Sequence, residues 1–135
     1  MSTSSRATAG LLLVLVPTIE FGGVALLSYI RRRTPGYLDN PVRQNLFRAM
    51  HAHAGVLVIL ALLGLLYVDA ADLGDGAKSL VRACLVVPPI AMPLGFGLSV
   101  ASPRATEPNA FIALVYVGAA VLTVGAVTLG IGLLR

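Results

Sequence analysis

The chain has 135 residues, of which 57% are hydrophobic and 12% charged, with a mean hydropathy of +0.88 and a net charge of +4. Soluble domains carry about a quarter charged residues, so these figures exclude an ordinary soluble domain. The charges sit in short clusters and leave four long apolar runs, near 10–30, 49–68, 79–101 and 109–134, and a run of roughly 20 apolar residues crosses a bilayer.

The expected fold is therefore all-α: a transmembrane bundle of four helices at about 10–30, 41–68, 79–101 and 108–134, forming a single domain over 1–135. The first segment begins MSTSSRATAGLLLVLVPTIE. Its apolar run continues past Pro17 to Ile30 without an early small-residue cleavage site, so it reads as a spanning helix rather than a signal peptide. Pro17 removes a backbone donor and predicts a kink. Glu20 follows three residues later. The exit RRRTPGY holds Pro35 and Gly36, a turn signal.

Asn40 and Pro41 predict a sharp start for the second helix, as cap and first helical residue. From Pro41 to Val68 it would be about 42 Å long, so its first turns, PVRQNLFR, should project into the membrane interface. The loop DAADLGDGAK is short and favours an antiparallel neighbour. The third segment carries Pro88, Pro89 and Pro93 and cannot be straight. It reads either as a bent packing helix or as one whose bend shapes a cavity. Cys84 lies within it as the only cysteine, so no internal disulfide is possible and it reads as a small apolar filler. In the fourth segment Thr106 or Glu107 would precede Pro108 as a cap, and Ala126 and Gly130 form a small-xxx-small pair suited to close helix packing.

The basic residues are distributed unevenly. Arg31, Arg32, Arg33, Arg43, Arg48 and Arg104 belong to the first and third loops and their flanks, against Arg6, Lys78, Arg82 and Arg135 on the other side. The positive-inside rule places the first and third loops in the cytoplasm of a multi-pass cell-membrane protein, with both termini outside. Arginines at a membrane edge meet lipid headgroups, so the RRR run is no argument for a nucleic-acid partner. The expected partner is the lipid bilayer.

The ionisable residues at or near membrane depth are Glu20, His51 and His53. Such groups are costly there and usually face the protein interior or a cavity. Both histidines of the chain fall in the octapeptide RAMHAHAG, residues 48–55. Two positions apart on a helix, they point about 200° away from each other, so they cannot chelate one ion as an i,i+4 pair would. Ala52, Ala54 and Gly55 keep the helix thin, leaving room for a planar ligand. A haem would find an axial imidazole here, with Arg48 and Arg43 near the interface as candidates for its propionates. A zinc site needs more ligands than these. The sequence contains no Ser/His/Asp set and no phosphate-cradling glycine loop.

The order of short motifs resembles the styrene oxide isomerase family of small four-helix membrane proteins. Phe21-Gly22-Gly23 stands where the family has an FGxG-like step, followed by Pro35-Gly36-Tyr37, RAMHAHAG, Gly95-Phe96 and Ser102-Pro103. The resemblance implies a homotrimer with haem b at the subunit interfaces. In the family a histidine of an H-x-G step holds the iron, which acts as a Lewis acid on an epoxide and isomerises it to an aldehyde. His53-Ala54-Gly55 matches that step, so His53 is the implied metal ligand, and His51 has no family counterpart. The family's asparagine six residues after the ligand is replaced by Ile59, and its tyrosine in the third helix falls on Phe96 or Gly97. Glu20 stands where the family is apolar, and is a candidate for a catalytic or proton-handling role toward a small hydrophobic substrate. Two other readings of the sequence are a cofactor-free accessory or scaffold subunit of a larger membrane complex, and a proton or small-solute pathway using Glu20. The latter requires Glu20 to share a cavity with His51 or His53.

Overall fold

The computed structural model describes all residues, Met1–Arg135. It is entirely helical. Helices α1 (Thr3–Arg31) and α2 (Pro41–Val68) are followed by α3 (Asp75–Val86) and α4 (Pro88–Ser99), then a 3-10 turn (Ala110–Ile112) that leads into α5 (Ala113–Leu134). Helices α3 and α4 are the two halves of one span, so four helical stretches are long and apolar enough to cross a membrane. That architecture is compatible with a multi-pass membrane protein. Large apolar side chains face outward along the spans, Phe21 at 74% exposure and Tyr116 at 71%, as a hydrocarbon solvent permits.

Helix ends follow local chemistry. Asn40 caps α2 by accepting from the Arg43 N–H at 3.1 Å, with Pro41 in the first turn as expected. Helix α1 begins seven residues before the predicted start at residue 10, because Ser2 caps it by accepting from the Ser5 N–H at 3.1 Å. It continues as a helix through Pro17 to Arg31. The third span does break, at Val87. Pro88 and Pro89 have no N–H to offer the carbonyls of Cys84 and Leu85, so the ladder lapses there. Both prolines then serve as the first residues of α4, a position that needs no donor. In the fourth span the cap is Asn109, accepting from the Phe111 N–H at 2.9 Å, not Thr106 or Glu107.

Glycines set the helix packing. A methyl group on Gly118, Gly125 or Gly132 of α5 would collide with Met92, Cys84 or Leu73 respectively. These glycines are seven residues apart and so share one face of the helix. The Ala126–Gly130 pair singled out in the sequence does not do this work. Gly130 has open space beside it, and the pair lines a groove of about 240 Å³ between α2 and α5. The best-packed core gathers Leu12, Ala61, Leu65, Val68, Val81 and Leu129 in the half of the bundle near the α2–α3 loop. Buried Cys84 fills space against Gly125.

Each end of the bundle is tied by polar contacts. At one end Asp69 accepts from the Ser2 backbone N–H at 2.6 Å, the Ser5 hydroxyl at 3.2 Å and the Arg82 guanidinium at 2.8 Å. The Asp72 N–H donates to the Gly132 carbonyl at 2.7 Å, so the α2–α3 loop and both termini lie together. At the other end buried Arg43 donates to three backbone carbonyls, those of Gly36, Val100 at 2.9 Å and Ala101 at 3.4 Å. Its guanidinium also stacks 5.0 Å from the centre of the Phe47 ring. Gly36 has φ 72°, a region open to glycine, and a side chain there would strike the Pro103 carbonyl. Tyr37 is buried beside Tyr29 and Phe47, with ring centres 5.4 and 6.3 Å away. The first and third loops are thus locked together.

Two stability predictions follow from these ties. The Ser2 N–H, more than the Arg82 guanidinium, holds the Asp69 carboxyl well below its ordinary value of 3.8. A depressed folded value stabilises fully above the ordinary one and loses its effect as pH falls through the folded one. Asp69→Asn should therefore lower the melting temperature at neutral pH, and its deficit against the unaltered chain should shrink as pH drops below about 4. Arg43→Met should cost at least about 2 kcal/mol in reversible unfolding, since it leaves carbonyls unpaired. Arg43→Lys should recover only part, because an ammonium cannot bridge three acceptors as a planar fork does.

Candidate functional site

The remaining half of the bundle, toward the first and third loops, carries the histidines. They point to different neighbours, as helical geometry requires. The His53 ring lies against Phe96 of α4, centres 4.8 Å apart, and its Nδ1 is 2.8 Å from the Ala49 carbonyl. A carbonyl only accepts, so Nδ1 bears the proton and donates it. In the neutral imidazole Nε2 is then the nitrogen with a free lone pair, the arrangement of an imidazole oriented by an outer partner for metal ligation. The side chain is half-buried.

His51 turns the other way, onto α1. A Cβ placed on Gly23 would stand 3.0 Å from its Cε1 and 3.2 Å from its Nε2. The Phe21-Gly22-Gly23 step therefore makes room for this imidazole. His51 is a shared wall of two cavities. The inner one, about 320 Å³, runs between α1, α2 and α4 and is lined by Met50, Ala54, Pro89 and Pro93 among others. The proline-rich segment thus borders a cavity as well as packing. The outer groove, about 560 Å³, lies between α1 and α2 and takes in Glu20, Gly23, Gly55 and Ile59.

The site residues read from sequence thus separate into three places. Glu20, His51 and Gly55 share the outer groove. Gly55 was expected to give clearance beside His53, but it is four residues after His51 and shares that residue's face instead. Ile59 also faces the groove rather than His53. Arg43 is not free for a propionate, because its guanidinium is taken up by loop carbonyls. Arg48 is exposed and remains available. The residues that sequence reading missed are Phe96 as the ring against His53, and Gly22 and Gly23 as the seat of His51.

No three His, Cys, Asp or Glu side chains come together in the chain. A metal here would rest on His53 alone, which suits an ion that brings its other ligands with it, as a haem iron does. Short motifs far apart in sequence also meet in space: Gly23 with His51, Phe96 with His53, and Gly36 with Pro103.

Gly23 and Gly55 make opposite predictions. Gly23→Ala should push the His51 ring aside by a few tenths of an ångström and forfeit the roughly 0.5–1 kcal/mol that alanine otherwise gains over glycine inside a helix. Gly55→Ala meets nothing within 4 Å and should raise the melting temperature slightly, by that helix-propensity gain. Thermal unfolding of the two variants, with the His51 ring proton shifts by NMR, checks both. Comparison of the chain with known protein families, with characterised proteins and with solved structures gave no match.

Proposed function

We propose that this chain is a small integral membrane haem b protein of the styrene-oxide-isomerase type, with His53 as the axial ligand. The observation that carries the reading is the His53 imidazole, whose Nδ1–H is committed to the Ala49 carbonyl at 2.8 Å. A fixed tautomer and ring orientation are what an axial ligand needs. Exposed Arg48, five residues earlier, is the cation for a propionate. Bound haem would supply a Lewis-acidic iron toward an epoxide oxygen, favouring isomerisation to the aldehyde. Phe96 gives the ligand imidazole an apolar flank. With Ile59 and Phe96 where the family has polar groups, orientation of a substrate falls to shape, so a small apolar epoxide fits best. A homotrimer belongs to the same reading, and the open groove beside Ala126 and Gly130 offers a face for a second copy. The excess of arginine on the first and third loops and their flanks supports a cytoplasmic position for them in the cell membrane.

A second reading, a proton or small-solute pathway, gains from one observation: Glu20 and His51 line the same groove.

Purified from haem-replete cells, the protein should be red or brown with a Soret band. His53→Ala should lose that band, and His51→Ala should keep it. A colourless preparation of folded protein would overturn the haem reading. If it is colourless, unchanged flux in Glu20→Gln proteoliposomes would remove the pathway reading too.

A further inference from the structure

The outer groove has features that the haem reading does not use. It lies between α1 and α2, on the side of α2 turned away from Phe96, and its volume of about 560 Å³ falls within the range of small-molecule sites. Apart from Glu20 and His51 its walls are mainly aliphatic, with Val24, Ile59 and Leu62 among them. Val24 and Ile59 are each 61% exposed, so the groove opens sideways toward the hydrocarbon. Gly23 and Gly55 keep both walls low, and Gly55 has no neighbour within 4 Å of where a Cβ would stand.

Glu20 is the unusual wall residue. It is exposed on the chain's surface near the middle of α1. The only ion pair in the chain joins Arg82 to Asp69, so Glu20 has none. The nearest cations along its own helix, Arg6 and Arg31, stand about 21 Å and 16 Å away by helical rise, beyond side-chain reach. A carboxyl group without a partner at bilayer depth is costly whether ionised or neutral. The partner it lacks is a donor, best a cationic one.

We propose that this groove binds a lipophilic amine. The ammonium sits on the Glu20 carboxylate, His51 lines the opposite wall, and the hydrocarbon body lies along Val24, Ile59 and Leu62. The body is apolar because the walls are, and the head is a cation because the groove's one acidic group has no cationic partner in the chain. The site is independent of haem on His53, and it shares only its location with the pathway reading.

Adamantan-1-amine and its neutral isostere adamantan-1-ol are suitable rigid probes, with binding to the full chain in nanodiscs measured by equilibrium dialysis. The amine should bind about tenfold more tightly than the alcohol, as a charge-assisted contact does. Glu20→Gln, which preserves shape, should erase that preference while still admitting both probes. Gly55→Leu should exclude both. His53→Ala should leave amine binding unchanged even where it removes haem, which separates failure of this site from failure of the haem reading. Equal affinity for amine and alcohol would mean the groove takes any apolar molecule, such as a lipid chain, and would overturn the proposal. So would a preference that survives Glu20→Gln, or no binding of the amine at all.

Discussion

The Arg43 guanidinium is the contact on which the histidine-bearing half of the bundle depends. It sits in the first turn of α2 yet holds the carbonyls of Gly36, Val100 and Ala101. One side chain therefore joins the start of α2 to the first loop and to the C-terminal end of α4. The carbonyls at the end of a helix have no partners within it, and here they are satisfied from a neighbouring helix. Phe96 lies one turn before that anchored end, and His53 lies ten residues along α2 from Arg43. The register that brings the two rings together is set from this point. In a bilayer, apolar surfaces gain little by meeting one another, because lipid is equally apolar. Directional contacts of this kind carry correspondingly more of the fold.

The opposite end is built on the same principle with different parts. Asp69 gathers Ser2, Ser5 and Arg82, while Asp72 reaches Gly132. The tightest apolar core lies near this end, and the two cavities that share His51 lie nearer the other. Val58 stands at the border, a member of the core and a wall of both cavities. Both cavities share His51, Ile19 and Val58, so the imidazole is the polar element of a partition that is otherwise aliphatic.

How much of this was legible in the sequence depends on whether the cause was local. Asn40 and Pro41 mark the start of α2 because a cap and a donorless residue act on their own turn. The four spans follow from apolar run length. The start of α1 was missed because STSSRAT carries no apolar signal, and its helix is fixed by Ser2 and by distant Asp69. Arg43 read as an interfacial cation because nothing near it in sequence shows that two of its three acceptors lie more than fifty residues away. Gly55 is a different case. The angular argument that splits His51 from His53 also assigns Gly55 to His51, so its place was available from spacing alone. The seat of His51 on Gly23 was half legible, since the glycine step was visible but its occupant was not.

The glycine stripe on α5 has a consequence for how the last helix finds its position. Gly118, Gly125 and Gly132 each receive one bulky group, from Met92, Cys84 and Leu73. Sliding α5 by a single turn would present Leu122 and Leu129 or Leu114 and Val121 to those groups instead, and none of these can accept them. The next arrangement that aligns glycines again lies seven residues away, about 10 Å along the axis, and it would leave one notch empty. The helix can therefore dock at one depth only. An apolar rod that could otherwise slide freely along the membrane normal is indexed by three missing side chains, like a key cut to a single lock position.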